Sequence, residues 1–154
     1  MVGHYTIVLA DAHVRFRREM RKIIEEHPGL QVSGEASNHF ELFEILKQAP
    51  PDMVILDISM PDLRAREGTR LIKLYYPEVK VLITVMDQDP EYLSHGLAAG
   101  AEGVLPKQYV AGQIFRAIAV IRQGKVYIPP WVSLDSQSHV KSPIRVGQFD
   151  SKNC

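Results

Sequence analysis

Two hydrophobic periods alternate along this chain, and that alternation restricts the fold more than any other feature. Short apolar runs rich in branched residues, at 6–10, 30–33, 53–56, 79–85 and 103–105, read as strands. The first, third and fourth carry almost no polar residues, the pattern of strands covered on both faces. Helical stripes lie between and after them. Phe16, Met20, Ile23 and Ile24 form the first, ended by His27-Pro28-Gly29; Phe40, Phe43 and Leu46 form the second, closed by Pro50-Pro51. Leu71, Leu74 and Tyr75 make a third before Pro77, Tyr92, Leu93 and Leu97 a fourth before Gly100, and Val110, Ile114, Ile118 and Ile121 a fifth before Gly124. Strand–helix units recurring every ~25 residues predict an α/β fold, a doubly wound five-stranded parallel sheet with helices on both faces.

Composition narrows the function classes. The 154 residues carry 18 basic and 18 acidic side chains, a balance that argues against a broad electrostatic grip on nucleic acid or anionic lipid. The single cysteine, Cys154, excludes a disulfide framework and a cysteine-based metal cluster, and fits a reducing cytoplasm. No apolar run approaches the ~20 residues of a membrane helix, and the N-terminus lacks the pattern of a signal peptide. A cytoplasmic protein without membrane contact is the expectation. Beyond Gly124 the period is lost. Residues 132–154 read as a tail or linker with no DNA-binding domain, and Trp131 as a residue that packs or anchors it.

In open α/β sheets, ligand sites gather at the C-terminal ends of the strands, where the strand order reverses. Asp11 ends the first apolar run, Asp57 ends the third, and Lys107 follows the fifth. On neighbouring strands the two carboxylates would share one mouth, suited to a hard cation such as Mg²⁺. Lys107 would reach the same edge and could pair with a carboxylate or with an anion attached to it. The plainer role for either aspartate is a helix cap or turn.

Several linked motifs then resemble the receiver domain of bacterial two-component response regulators, in the subfamily usually fused to a LuxR/NarL-type helix-turn-helix. Val8-Leu9-Ala10-Asp11-Ala12-His13 resembles its acidic motif, and the stretch from Pro51 through Asp57-Ile58-Ser59-Met60-Pro61-Asp62 its phosphoacceptor strand and loop. Asp89-Pro90-Glu91-Tyr92-Leu93, Ala98-Ala99-Gly100-Ala101-Glu102-Gly103 and Leu105-Pro106-Lys107 follow in the family's order. The resemblance covers residues 4–131. It implies a flavodoxin-like sheet in the order 2-1-3-4-5 and a phosphorelay role without enzyme activity of its own. It implies Asp57 as phosphoacceptor, Lys107 as the contact to phosphoryl oxygens, and Asp11, Asp57 and Ser59 as holders of Mg²⁺. The implied partner is a sensor histidine kinase or phosphotransfer protein, with a second copy of the chain as a further candidate. No nucleic acid is expected for this chain.

Departures from the family pattern change that expectation. Ala12 stands where a second acidic residue is usual, which removes a metal-binding carboxylate and predicts weak Mg²⁺ binding. Val85 takes the place of the hydroxyl-bearing switch residue, with Thr84 one residue early and therefore facing the other way. Val104 replaces the usual aromatic partner of that switch, while Ala65 and Arg66 replace a glycine and an apolar residue. Together these changes predict phosphorylation weakly tied to conformational change. Two rivals stand beside that reading. One is a phosphorylation-independent receiver-like interaction module acting through its fourth and fifth helices. The other is a cofactor-binding or enzymatic protein on the same fold, although the turn after Asp11 lacks the Ser/Thr/Gly composition that wraps a flavin phosphate. His13, one residue past Ala12, lies near the mouth where it could touch a ligand, although a loop histidine opening a helix is its plainer role. The basic cluster Arg15, Arg17, Arg18, Arg21 and Lys22 reads as a solvated or partner-docking face.

Overall fold

The computed structural model describes residues 3–86 and 90–129, with the side chains of residues 65 and 90–93 outside that description. The expected roles of Trp131, of residues 132–154 and of the Tyr92 and Leu93 side chains therefore fall outside the described residues.

Strands β1 (Tyr5–Ala10), β2 (Leu30–Ala36), β3 (Met53–Asp57), β4 (Lys80–Val85) and β5 (Gly103–Pro106) alternate with helices α1 (Val14–Glu25), α2 (His39–Gln48), α3 (Ala65–Tyr75), α4 (Pro90–Ala98) and α5 (Val110–Arg122). All pairings are parallel, in the order β2-β1-β3-β4-β5, as expected. None of the described helices is long and apolar enough to cross a membrane.

Side-chain alternation splits the interior into two cores. Ile7, Leu9, Met53, Ile55, Leu82 and Leu105 point to the face covered by Met20 and Ile24 of α1 and by Ile114, Ile118 and Ile121 of α5. Val8, Ala10, Val54, Leu56, Ile83 and Val85 point to the other, under Leu42 and Leu46 of α2 and Ile72 of α3. Burial on both faces is why β1, β3 and β4 read as unbroken apolar runs.

Three local expectations are corrected. β2 extends past Ser33 to Ala36, because its pairing with β1 slips between Ile7 and Val8 and the slip breaks the two-residue period that marks a strand. In α2, Phe40 is 70% exposed while His39, Leu42 and Leu46 face inward. In α3, Leu74 and Tyr75 point outward, and the buried stripe is Gly68, Thr69 and Ile72. The cause is a close approach: a β-carbon on Gly68 would lie 2.5 Å from His39 Nε2, so the small residue turns toward the buried imidazole and the large ones away from it.

Candidate functional site

β1 and β3 are neighbours, but their following helices lie on opposite faces, so the sheet opens between their C-terminal ends. Asp11 sits immediately after β1, its N–H bonded to the Ala36 carbonyl at 2.9 Å. Asp57 is the last residue of β3, and the ladder runs one step beyond it through Ile58 N–H to the Thr84 carbonyl. Both carboxylates are nearly inaccessible, at 2% and 1% exposure. Lys107 opens a short 3-10 turn (Lys107–Tyr109) after β5. Its ammonium lies 2.7 Å from Asp11 Oδ2 and 3.5 Å from Asp57 Oδ2, and 4.5 Å above the Phe16 ring. The three residues expected at the strand ends thus meet in one cleft.

Each aspartate also makes the turn contact that a simpler reading anticipates. Asp11 Oδ1 accepts the His13 N–H at 2.8 Å, and Asp57 Oδ1 accepts the Ser59 N–H at 3.2 Å. Neither caps a helix, since the residues before α1 and α3 are His13 and Arg64. The Ser59 hydroxyl lies 3.1 Å from Asp57 Oδ2, so Ser59 engages the carboxylate through both of its donors.

Two features go further than the sequence reading. His13 Nδ1 stands 3.0 Å from Asp11 Oδ1, 3.8 Å from Asp57 Oδ2 and 3.4 Å from Lys107 Nζ, which makes this histidine part of the cleft. The proximity of His13 to Asp11 in sequence was the available signal. The basic face of α1 is also less free than its composition suggests. Arg17 and Arg21 turn back to Glu35 of β2, and Arg17 donates to the Asp11 carbonyl. Hydrogen bonds from Arg17 and then Arg21 hold the Glu35 carboxyl below its ordinary range. The network fixes the backbone that carries Asp11.

The β3–α3 loop is tied down separately. Asp62, with φ at 69°, accepts the N–H groups of His39 and Phe40 at the start of α2. Burial works to raise the Asp62 carboxyl, yet these bonds and the His39 ring hold it below its usual range.

Residues 7–119 match the sequence model of the response regulator receiver domain. The chain belongs to that family. DegU of Brevibacillus brevis, a transcriptional regulatory protein, is 34% identical over 127 residues, covering 82% of this chain and 54% of DegU. The isolated receiver domain of RcsB from Salmonella enterica serovar Typhimurium, solved with the phosphomimetic BeF₃⁻, superposes with a TM-score of 0.78 at 26% identity, covering 84% of this chain and 96% of that one. A LuxR-family response regulator from Aurantimonas sp. SI85-9A1 superposes with a TM-score of 0.79 at 27% identity, over 92% of this chain and 99% of that one. The receiver spans about half the length of DegU.

Within this receiver, the oxygen donors suit the Mg²⁺ that the family implies. Asp11 Oδ2 is buried, and although the Lys107 ammonium compensates its charge, it accepts no aligned hydrogen bond among the described residues. Asp11 and Asp57 offer hard oxygen donors of the kind Mg²⁺ takes. Ala12 is exposed at the mouth and adds no donor there. Val85 and Val104 are buried in the core on the α2–α4 side, whereas Thr84, the register partner of Asp57, lies outside that core.

Proposed function

We propose that this receiver accepts a phosphoryl group on Asp57 from a phosphohistidine of a sensor histidine kinase or phosphotransfer protein, with weak coupling to the rest of the fold. The observation that carries the reading is the Lys107 ammonium held between Asp11 and Asp57 at a solvent-facing sheet end. In the transfer, an Asp57 carboxylate oxygen attacks phosphorus in line. The phosphorus–nitrogen bond breaks, and its electron pair returns to the donor imidazole. Lys107 neutralises charge on the phosphoryl oxygens, and the Ser59 N–H and hydroxyl orient the Asp57 carboxylate. A divalent cation held by Asp11, Asp57 and the Ser59 carbonyl would add a second neutralising charge.

Weak coupling follows from Val85 and Val104. Neither offers a hydrogen bond to a phosphoryl group, and both already fill the core they face. The domain unit is read as residues 4–131, acting in the cytoplasm, with residues 132–154 as a connecting tail. Self-association with a second copy of the chain is a further reading.

The test is incubation with acetyl phosphate and Mg²⁺, followed by intact-mass analysis and peptide mapping. Modification of Asp57, lost in Asp57→Asn, supports the reading; an unmodified wild type overturns it. Rapid stoichiometric labelling with shifted resonances on β4 and β5 would retain the phosphoacceptor and refute the weak coupling.

A further inference from the structure

Resting on the reading of Asp11 and Asp57 as cation-holding carboxylates, we propose that His13 Nδ1 is a third ligand, so that the cleft prefers a first-row transition ion such as Mn²⁺, Co²⁺ or Zn²⁺ over Mg²⁺. The donor atoms of Asp11, His13 and Asp57 all lie within 4.8 Å of one another. With bonds of ~2.1 Å, one ion can join ligand atoms up to ~4.2 Å apart. The separations of 3.0 Å from His13 Nδ1 to Asp11 Oδ1 and 3.8 Å to Asp57 Oδ2 both fall inside that span.

The kind of donor sets the preference. Mg²⁺ takes oxygen ligands and keeps its waters, whereas imidazole suits the later first-row ions. A cleft of two carboxylates and one imidazole therefore binds the second class better than a purely carboxylate cleft would. Asp11 Oδ2 is buried in the same cleft, where its partner is the Lys107 ammonium at 2.7 Å, a cation that an entering metal ion would replace. Entry of an ion moves the Lys107 ammonium off Asp11 Oδ2 toward Asp57, a shift its flexible stem permits.

Local backbone prepares the chelate. The His13 N–H bonds to Asp11 Oδ1 at 2.8 Å, which fixes two ligands two residues apart, and Arg17 holds the Asp11 carbonyl from behind. The His13 side chain is 60% exposed, so its imidazole stands at the solvent-facing rim of the cleft.

Mn²⁺ titration of the full chain, followed by electron paramagnetic resonance and by competition with Mg²⁺, tests the proposal. Mn²⁺ is expected to bind at least about tenfold tighter than Mg²⁺, with nitrogen hyperfine coupling in pulsed spectra. In His13→Ala that coupling disappears and the preference for Mn²⁺ over Mg²⁺ shrinks. Absence of nitrogen coupling in the wild type, or its persistence in His13→Ala, overturns the proposal. The outcome separates from that of the phosphoacceptor reading. A wild type labelled on Asp57 but without nitrogen coupling removes only the His13 ligand. Nitrogen coupling without Asp57 labelling removes only the phosphoacceptor.

Discussion

Thr84 is the register partner of Asp57 on the adjacent strand, and its buried hydroxyl has no hydrogen-bond partner among the described residues. Val85, one residue further on, is fully buried in the opposite core. Strand alternation makes that single step decisive, since it moves the hydroxyl from one face of the sheet to the other.

Restoring the missing groups should therefore restore the response. Ala12→Asp together with Val85→Thr is expected to raise Mg²⁺ affinity and the rate of Asp57 labelling together. Mg²⁺ titration by calorimetry and acetyl phosphate kinetics read the two effects. An unaltered Mg²⁺ titration would show that residues 12 and 85 do not limit this site.

Lys107 sets a positive charge beside two carboxylates that are buried side by side. Lys107→Met leaves those charges uncompensated and should cost about 3 kcal/mol in metal-free buffer. Added Mg²⁺ should recover more stability in the variant than in the wild type, because it binds the folded state where the ammonium stood. Urea unfolding with and without Mg²⁺ reads both effects, and an unchanged midpoint would contradict the argument.

The network of Glu35 with Arg17 and Arg21 predicts a specific pH window. The folded carboxyl lies below its usual range, whereas in the unfolded chain it titrates near ~4.3. Its contribution is thus fully present above the unfolded value and is lost as pH falls through the folded one. Glu35→Gln should cost about 1 kcal/mol at neutral pH, with the deficit closing in acid. Urea midpoints that stay equally separated at neutral and acidic pH would rule out this ionic origin.

Gly68→Ala sets helix propensity against packing. Alanine gains up to ~1 kcal/mol in a helix interior, but its β-carbon would sit 2.5 Å from His39 Nε2 and 2.7 Å from His39 Cδ2. His39 is buried and its Nδ1 lies within hydrogen-bonding distance of Asp62, so the clash should win by about 1–2 kcal/mol. In a His39→Ala background the same change should become neutral or stabilising. Thermal denaturation of the double-mutant cycle decides between these signs.

Local order along the chain was enough to determine the strand–helix alternation, the parallel sheet and the positions of Asp11, Asp57 and Lys107 at strand ends. Each is a property of a residue and its near neighbours: an apolar run ends, and the next side chain stands at the rim. Departures at residues 12, 85 and 104 were legible only against the family pattern that the motifs resemble. Tertiary structure alone decided the inward faces of α2 and α3, because the fit of Gly68 against His39 depends on two helices far apart in the chain. It also decided that Arg17 and Arg21 turn to Glu35 rather than to solvent, since that choice depends on how α1 lies over β2. The cleft follows the same physics: His13 and Lys107 are 94 residues apart in sequence but 3.4 Å apart in space, and only the assembled sheet brings them together.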